Sequence, residues 1–260
     1  MNRFDRQTVV VTGGGSGIGA AACERFASEG GDLIVVDKDL NSAQEVTASL
    51  KRQGHAAIAL ECDVSDEASI KNLFAAISTH TKHLDVIFSN AGMPCPEGIE
   101  ELASERWDKT FAVNARSNYL MVKYSLPLLE NGRGRSIVFT SSAAGLIAMG
   151  SQPAYSASKG AVVALTKALA NELKVKQIRV NSICPGWVNT PMMNQFYEEN
   201  FPDPKSRMEA ITDSAFSLPM RRFADSNEIA AAAAFLASSD ASYITGISLP
   251  VDGGLTSISS

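Results

Sequence analysis

Short apolar runs that alternate with longer stretches of helical periodicity constrain the fold of this chain more than any other feature. The runs are rich in Val, Ile and Phe and lack polar alternation, which is typical of strands buried on both faces of a parallel sheet. The predicted strands are 8–11, 33–36, 56–60, 86–88, 137–139, 179–183 and 247–251. Helical stretches between them include 17–30, 43–53, 67–80, 104–129 and 154–174. Repeated βα units with right-handed crossovers predict an α/β fold, a doubly wound Rossmann sheet of about seven parallel strands with helices on both faces.

One long segment lacks this alternation of strand and helix patterns. Over residues 187–222 the chain carries Pro191, Pro202, Pro204 and Pro219, which exclude one continuous helix. Irregular segments of this length inside a compact domain usually have a function, so we expect a substrate-binding lid here. Since composition shifts nowhere else, the 260 residues are predicted to form one domain, 1–260.

The composition excludes several classes of function. The chain has 3 histidines and 4 widely spaced cysteines, which argues against a metal site and against histidine-based hydrolysis. A net charge of −5 argues against a nucleic-acid partner or an anionic membrane surface. The longest apolar run, 229–237, is far shorter than the roughly 18 residues that a membrane span needs. With no secretory signal visible, the chain is expected to be cytoplasmic.

A glycine-rich turn follows the first predicted strand and opens the first helix. It reads Thr-Gly-Gly-Gly-Ser-Gly-Ile-Gly over residues 12–19. Glycine lets a backbone approach a pyrophosphate closely, and a helix N-terminus supplies free N–H groups and a positive dipole end. This placement predicts a dinucleotide site, with a merely tight turn as the alternative. The residues expected to contact the cofactor here are Gly13, Gly15, Ser16, Gly17, Ile18 and Gly19.

Acidic residues follow the next two strands. Asp37 ends the second predicted strand, where a carboxylate accepts both hydroxyls of a ribose and repels a 2′-phosphate, which favours NAD over NADP. A helix cap is the alternative role for Asp37. The adjacent Lys38 weakens the preference for NAD, because a lysine there could accept the phosphate. Asp63, after the third strand, either reaches the adenine or caps its own strand end.

Tyr155 and Lys159 stand four residues apart in a helical stretch, which places them on one helix face. A tyrosine pKa near 10 is too high for proton transfer at neutral pH. An ammonium group at about 4 Å, with an effective dielectric constant of about 20, would lower that pKa by roughly 3 units. The spacing therefore predicts a tyrosine general acid/base, and an exposed helix face is the alternative.

Two further polar residues are catalytic candidates. Ser142 follows the strand 137–139, at the strand end where doubly wound sheets bind ligands, and Ser141 is its rival. Asn114 lies inside a predicted helix although asparagine is a poor helix former. A solvent-facing position is the alternative explanation for Asn114.

These elements together resemble the short-chain dehydrogenase/reductase family over residues 8–254. The matching motifs are TGxxxGxG at 12–19, Asn90-Ala91-Gly92, Pro185-Gly186 followed by Val188 and Thr190, and Asp252-Gly253-Gly254. The family's catalytic tetrad maps onto Asn114, Ser142, Tyr155 and Lys159. The resemblance also implies that Val64, beside Asp63, contacts the cofactor.

The resemblance implies reversible hydride transfer between the nicotinamide C4 of NAD(H) and a secondary alcohol or ketone. Tyr155 would exchange a proton with the substrate oxygen, and Ser142 would hydrogen-bond that oxygen. Lys159 would lower the pKa of Tyr155 and hold ribose hydroxyls, while Asn114 would anchor a water in a proton relay. Val188 and Thr190 would lie at the nicotinamide carboxamide.

Expectations for substrate and partners are coarser. Besides Ser142 and Tyr155, we expect Ala144, Gln152 and Trp187 to line the substrate pocket. The resemblance implies a homo-oligomer, usually a tetramer, paired through the helices of 104–129 and 154–174. The alternatives are an NADP-dependent 3-ketoacyl-(acyl-carrier-protein) reductase and a nucleotide-sensing regulator without turnover.

Overall fold

The computed structural model describes residues 2–147 and 152–257. The strands in this part of the chain are β1 Thr8–Thr12, β2 Asp32–Asp37, β3 Ala57–Glu61, β4 Val86–Ser89, β5 Ser136–Thr140, β6 Arg179–Pro185, β7 Val188–Asn189, β8 Ala224–Asp225 and β9 Ser248–Val251. Seven of them form one sheet in the order β3-β2-β1-β4-β5-β6-β9, and each neighbouring pair is parallel. Strands β7 and β8 form a separate parallel pair.

Helices cover both faces of the sheet, which confirms the predicted doubly wound architecture. The helices are α1 Gly17–Ser28, α2 Leu40–Arg52, α3 Glu67–His80, α4 Ser104–Phe111, α5 Ser117–Leu129, α6 Pro153–Leu173, α7 Pro191–Asn200, α8 Pro204–Phe216 and α9 Ser226–Ala237. None of the helices within these residues is long and apolar enough to cross a membrane.

Two apolar cores explain why the strands lack polar alternation. Successive side chains of a strand point to opposite faces. Accordingly Val9 and Val11 of β1 pack in the core that includes residues of α1 and α9, whereas Val10 packs in the core that includes residues of α3, α5 and α6. All three valines are fully buried. Since both faces are covered, the three central positions of the strand are all apolar.

The predicted helix 104–129 is interrupted. A π-helical turn, Ala112–Arg116, separates α4 from α5. Such turns insert one residue into the helical repeat and occur frequently at functional sites. Here the turn buries Asn114 completely. The solvent-facing alternative for Asn114 is therefore wrong.

The proline-containing segment 187–222 folds into short elements, as its prolines require. Pro191 and Pro204 lie in the first turns of α7 and α8, where a missing N–H costs no helical hydrogen bond. A small apolar cluster centred on Tyr197, Leu218 and Phe223 packs these helices together. The segment thus forms a compact unit beside the carboxyl end of β6.

Candidate active site

The turn between β1 and α1 needs its glycines. Gly13 and Gly17 have φ angles of 62° and 50°, a region that residues with a Cβ rarely adopt. At Gly19 a Cβ would lie 1.9 Å from the carbonyl oxygen of Gly13, so a larger residue cannot fit. Ser16 takes the N-cap position of α1, but its side chain makes no capping hydrogen bond. The turn therefore presents the start of α1 closely packed and without a side-chain cap.

A cleft of about 420 Å³ opens over this turn and along the carboxyl ends of the strands. Most of the residues predicted to bind a cofactor line it: Gly13, Ser16, Gly17, Ile18, Asp37, Lys38, Asp63, Val64, Asn90, Ala91, Gly92, Tyr155, Lys159, Pro185, Gly186, Val188 and Thr190. The predicted residues Gly15 and Gly19 lie behind this wall. The amide of Gly15 donates to Asp37 Oδ2 at 3.0 Å, so Gly15 acts on the shape of the turn.

Asp37 is held at the end of β2 by two backbone amides. Its Oδ2 accepts from Gly15, and its Oδ1 accepts from the amide of Asp39 at 3.1 Å. The N-cap of α2 is Asp39, whose side chain accepts from the amide of Asn41. The capping alternative for Asp37 is therefore wrong. Its carboxylate and the adjacent Lys38 both face the cleft.

Asp63 makes local contacts as well as lining the cleft. Its Oδ1 accepts from the amide and the hydroxyl of Ser65, at 2.8 and 2.6 Å. The Ser65 hydroxyl holds the pKa of Asp63 below its usual value, and Lys109 acts in the same direction. The N-cap of α3 is Asp66. Asp63 thus braces the turn after β3 and leaves its second oxygen 3.7 Å from Lys109.

The Asn90-Ala91-Gly92 turn ties three strands together. Thr12 Oγ1, at the end of β1, accepts from the amides of Asn90 and Ala91 at 3.0 and 3.1 Å. The Thr140 hydroxyl, at the end of β5, donates to Asn90 Oδ1 at 3.0 Å. The motif therefore fixes the floor of the cleft.

Tyr155 and Lys159 lie on one face of α6, as the spacing predicts. The Lys159 Nζ is 5.8 Å from the centre of the Tyr155 ring. This buried ammonium donates to the carbonyl oxygen of Thr140 at 2.9 Å. The interpretation of the pair as an exposed helix face is wrong for Lys159, which is 3 % exposed.

The two adjacent serines have different contacts. The Ser141 hydroxyl donates to the carbonyl oxygen of Lys159 at 2.8 Å and so braces α6. The Ser142 hydroxyl accepts from the amide of Ala144 at 3.2 Å and, unlike that of Ser141, lowers the pKa of Tyr155. Ser142 is accordingly the serine that acts on the tyrosine.

The protonation of the pair differs from the expectation. Burial raises the pKa of Tyr155 above its ordinary value, and the hydrogen bond from Ser142 opposes this rise. Burial lowers the pKa of Lys159 to about 8. The expectation rested on the attraction between ammonium and phenolate alone. In the folded chain, the loss of water around each buried group is the largest effect on its pKa.

Asn114 uses both ends of its side chain within the protein. Its Oδ1 accepts from the amide of Met93 at 2.8 Å, and its Nδ2 donates to the Met93 carbonyl at 3.0 Å and to Ser158 Oγ at 3.1 Å. Its own carbonyl oxygen accepts from Asn118 Nδ2 at 2.8 Å. Asn114 therefore joins the loop after β4, the π-helical turn and α6.

A second, smaller cavity of about 110 Å³ adjoins the cleft. The two share Ser142, Tyr155, Pro185, Gly186, Met192 and Met193. The predicted Ala144, Gln152 and Trp187 line the smaller cavity. Phe196 of the predicted lid lines it as well, whereas sequence reasoning missed Pro94, Cys95, Pro96 and Leu255. For the first three a signal existed, since Pro-Cys-Pro follows the Asn90-Ala91-Gly92 motif almost directly.

Within residues 2–147 and 152–257, no three His, Cys, Asp or Glu side chains stand close enough to hold a metal ion. The cysteines Cys23, Cys62, Cys95 and Cys184 are buried and free.

The chain is similar to known proteins over nearly its whole length. A family model described as enoyl-(acyl carrier protein) reductase matches residues 13–256. The 2,5-dichloro-2,5-cyclohexadiene-1,4-diol dehydrogenase of Sphingobium indicum is 37% identical over 254 residues, 97% of each chain. The meso-2,3-butanediol dehydrogenase of Serratia marcescens is 35% identical over 255 residues, 98% of this chain and 96% of that one. The crystal structure of levodione reductase superposes with a TM-score of 0.92 at 32% identity, covering 98% of this chain and 100% of that one.

Proposed function

Because the chain belongs to the short-chain dehydrogenase/reductase family, we propose that it catalyses reversible hydride transfer between NAD(H) and a secondary alcohol or its ketone. The observation that carries this proposal is the position of Ser142 and Tyr155. Both side chains line the large cleft and also the smaller cavity. A cofactor in the first and a substrate in the second would meet at these two hydroxyl groups.

The residues of the cleft fit a nicotinamide dinucleotide. A Cβ at Gly13 would lie 3.0 Å from the Cα of Ala91, so glycine keeps the turn against the floor of the cleft. The turn 12–19 would hold the pyrophosphate, Asp37 the adenosine ribose, and Val188 with Thr190 the nicotinamide carboxamide. When bound, this cofactor supplies or accepts a hydride at its nicotinamide C4.

The preference for NAD rests on Asp37. Two amide donors hold its carboxylate at the strand end, where it matches a pair of ribose hydroxyls and repels a phosphate group. Lys38 lines the same cleft and would favour the phosphate. We assign the dominant role to Asp37 because backbone hydrogen bonds fix its position.

The protein's chemical step is a proton transfer. The Tyr155 hydroxyl would give its proton to the forming alkoxide during ketone reduction and take it back during alcohol oxidation. Ser142 would donate a hydrogen bond to the same substrate oxygen. The Lys159 ammonium would favour the tyrosinate and hold ribose hydroxyls. Asn114 would hold the tyrosine helix against the loop after β4. It would also anchor a water molecule in a proton relay behind Lys159.

Relatives support an alcohol that carries a second hydroxyl group. Two of them are named as dehydrogenases of diols. We therefore propose a diol or the corresponding hydroxyketone as substrate, with Ala144, Gln152 and Trp187 in contact with it. An acyl-carrier-protein thioester is the second candidate, because the matching family model is described as a reductase of that kind. Asp37 and the small volume of the second cavity favour the diol.

We also propose that the chain works as a homotetramer in the cytoplasm. Trp107 of α4 and Tyr119 of α5 are 37 % and 46 % exposed, which supports a helix-to-helix interface. Free cysteines at all four positions support a reducing compartment. Light scattering on the purified chain tests the tetramer.

A spectrophotometric assay tests the proposed reaction. The purified chain would be incubated with NAD⁺ or NADP⁺ and the alcohols meso-2,3-butanediol, cyclohexanediols and hydroxysteroids. In parallel it would be incubated with NADH or NADPH and ketoacyl thioesters. With NAD⁺ and a diol, we expect NADH to form, which is measured by its absorbance at 340 nm. Absence of turnover with each alcohol and each ketone of the panel, despite NADH binding, would favour the sensing regulator instead.

A further inference from the structure

Among the described residues, no charged side chain lines the smaller cavity. Its polar side-chain groups are the hydroxyls of Ser142 and Tyr155, the amide of Gln152, the indole N–H of Trp187 and the thiol of Cys95. Residues 148–151, which the structure does not describe, contain no Asp, Glu, Lys or Arg in the sequence either. An ionised group that entered this cavity would lose its water without gaining a counter-charge. The cavity therefore selects against carboxylates and phosphates.

Gln152 carries the one primary amide among these polar groups, and it takes no part in the proposed proton transfer. It occupies the N-cap position of α6, but its side chain makes no capping hydrogen bond to that helix. Its carbonyl oxygen accepts from the amide of Ser156, while its side chain faces the cavity. A primary amide both donates and accepts, so it matches a hydroxyl or a carbonyl oxygen equally well.

Gln152 and Tyr155 lie on the wall of the same small cavity. They stand three residues apart, with Gln152 at the N-cap position of α6 and Tyr155 in its first turn. Both side chains line the smaller cavity. A substrate oxygen at Tyr155 and a second oxygen at Gln152 would thus belong to one small molecule, a few carbon atoms apart.

The far wall of the cavity limits its size. It is built from Trp187, Phe196 and Leu255. Leu255 lies in the C-terminal turn, which Asp252 holds by accepting from the amides of Gly254 and Thr256 at 3.0 and 2.9 Å. A dry cavity of about 150 Å³ binds benzene. The cavity found here has about 110 Å³ and shares six lining residues with the open cleft, so together with the adjoining part of the cleft it suits a short chain or a single small ring.

We propose that the substrate is a compact, uncharged alcohol or ketone with a second oxygen function, and that the Gln152 amide holds this second oxygen. The proposal rests on the proposed function, since Tyr155 and Ser142 are taken to hold the reacting oxygen. Gln152 is thereby a specificity-determining residue that separates diols and hydroxyketones from simple alcohols.

A matched set of probes tests the role of Gln152. Cyclohexane-1,4-diol, cyclohexanol and 4-hydroxycyclohexanecarboxylate would be assayed with NAD⁺ and the wild type, Gln152→Leu and Gln44→Leu. Gln44 is exposed on α2, away from both cavities, and controls for the same substitution. We expect kcat/KM of the wild type to be about tenfold higher for the diol than for cyclohexanol, the worth of one hydrogen bond. In Gln152→Leu the ratio of kcat/KM for the diol to that for cyclohexanol should fall to about one. In Gln44→Leu this ratio should equal that of the wild type.

The carboxylate probe tests the uncharged lining. We expect kcat/KM for 4-hydroxycyclohexanecarboxylate to lie about 100-fold or more below that of the diol, because the carboxylate would be desolvated without a partner. Comparable turnover of the carboxylate, or an unchanged ratio of diol to cyclohexanol in Gln152→Leu, overturns the proposal.

A binding measurement separates this proposal from the proposed reaction. The chain has 2 tryptophans, so Trp107→Phe leaves Trp187 of the cavity as the fluorescent reporter. Titration of this variant with cyclohexane-1,4-diol should give a saturable change, at about tenfold lower concentration than in Trp107→Phe/Gln152→Leu. If the diol binds in a way that depends on Gln152 but is not turned over, the proposed reaction is contradicted and the role of Gln152 in substrate binding is supported. Equal binding by the two variants, or no binding by either, overturns the pocket assignment.

Discussion

The Nζ atom of Lys159 donates a hydrogen bond to the carbonyl oxygen of Thr140 at 2.9 Å. Thr140 is the last residue of β5, and Lys159 lies in the second turn of α6. This bond fixes the ammonium at the carboxyl end of the sheet, where the cleft opens. The ammonium is buried there, and burial brings its pKa down to about 8.

The lowered pKa of Lys159 predicts a pH limit for ketone reduction. Since burial lowers the pKa from 10.5 to about 8, the ammonium is charged below pH 8 and becomes neutral as the pH rises through this value. We expect kcat/KM for ketone reduction to fall above about pH 8. In Lys159→Arg the guanidinium stays charged, so the slower variant should keep its rate to higher pH.

Lys167→Arg is the matched control for this pH profile. Lys167 is exposed on the same helix, and its replacement should leave the fall above pH 8 unchanged. If kcat/KM falls at the same pH in Lys159→Arg and in the wild type, a group other than Lys159 causes the fall above pH 8.

Asp37 is expected to control the choice of cofactor. In Asp37→Ser the carboxylate that would accept two ribose hydroxyls is gone, so the ratio of kcat/KM for NAD⁺ over NADP⁺ should fall by about tenfold to 100-fold. Asp32→Ser, at the exposed opposite end of β2, should keep the ratio of the wild type. Steady-state kinetics with both cofactors measures this ratio. An unchanged ratio in Asp37→Ser would contradict the role of Asp37 in selecting NAD.

Asp85 is expected to affect stability without affecting the site. This buried carboxylate, just before β4, accepts from the amides of Thr8, Arg133 and Gly134 at 2.8, 2.5 and 3.0 Å. Asp85→Ala would leave these amides without their acceptor and lower the free energy of unfolding by about 3 kcal/mol or more. Urea unfolding measures the loss.

NADH titration supplies the second half of this prediction. Asp85 stands at the edge of the sheet opposite the cleft, so the folded Asp85→Ala variant should bind NADH as the wild type does. Equal urea midpoints for the two proteins, or a loss of NADH affinity in the folded variant, would contradict this placement.

Ser158 is expected to be a positioning residue for the tyrosine. Its hydroxyl donates to the carbonyl oxygen of Tyr155 at 2.8 Å and accepts from Asn114 Nδ2 at 3.1 Å. Ser158→Ala breaks this connection, and we expect kcat to fall about tenfold while KM for NAD⁺ stays the same. Ser158→Cys should recover part of kcat.

Ser156 offers the control for Ser158. Its hydroxyl oxygen is buried but has no hydrogen-bond partner among the described residues. Ser156→Ala should therefore keep the kcat of the wild type. A kcat for Ser158→Ala equal to that of Ser156→Ala would show that the connection through Asn114 does not position Tyr155.

Local features of the sequence were enough to predict the sheet and most of the cleft. The glycine turn and Asp37 each lie next to a predicted strand, and parallel strands bring their carboxyl ends to one edge. The smaller cavity was predicted only in part. Its walls at Cys95, Phe196 and Leu255 come from three distant segments, so no local pattern connects them.

Two properties of the site depend on packing that a sequence does not specify. The π-helical turn around Asn114 has nearly the same apolar pattern as a continuous helix, so residues 104–129 were predicted as one helix. The spacing predicts a lowered pKa for Tyr155, but burial raises this pKa. The spacing of Tyr155 and Lys159 places the two residues on one helix face, but it does not determine how much water surrounds the tyrosine hydroxyl.

Replacement of Tyr155 by phenylalanine tests the central claim most directly. The substitution removes one hydroxyl group and keeps the ring, so kcat/KM with the best diol should fall by about 100-fold to 10,000-fold, the usual worth of a general acid/base. NADH affinity, measured by fluorescence titration, should stay within about twofold of the wild type. Turnover by Tyr155→Phe at the rate of the wild type would contradict the assignment of proton transfer to Tyr155.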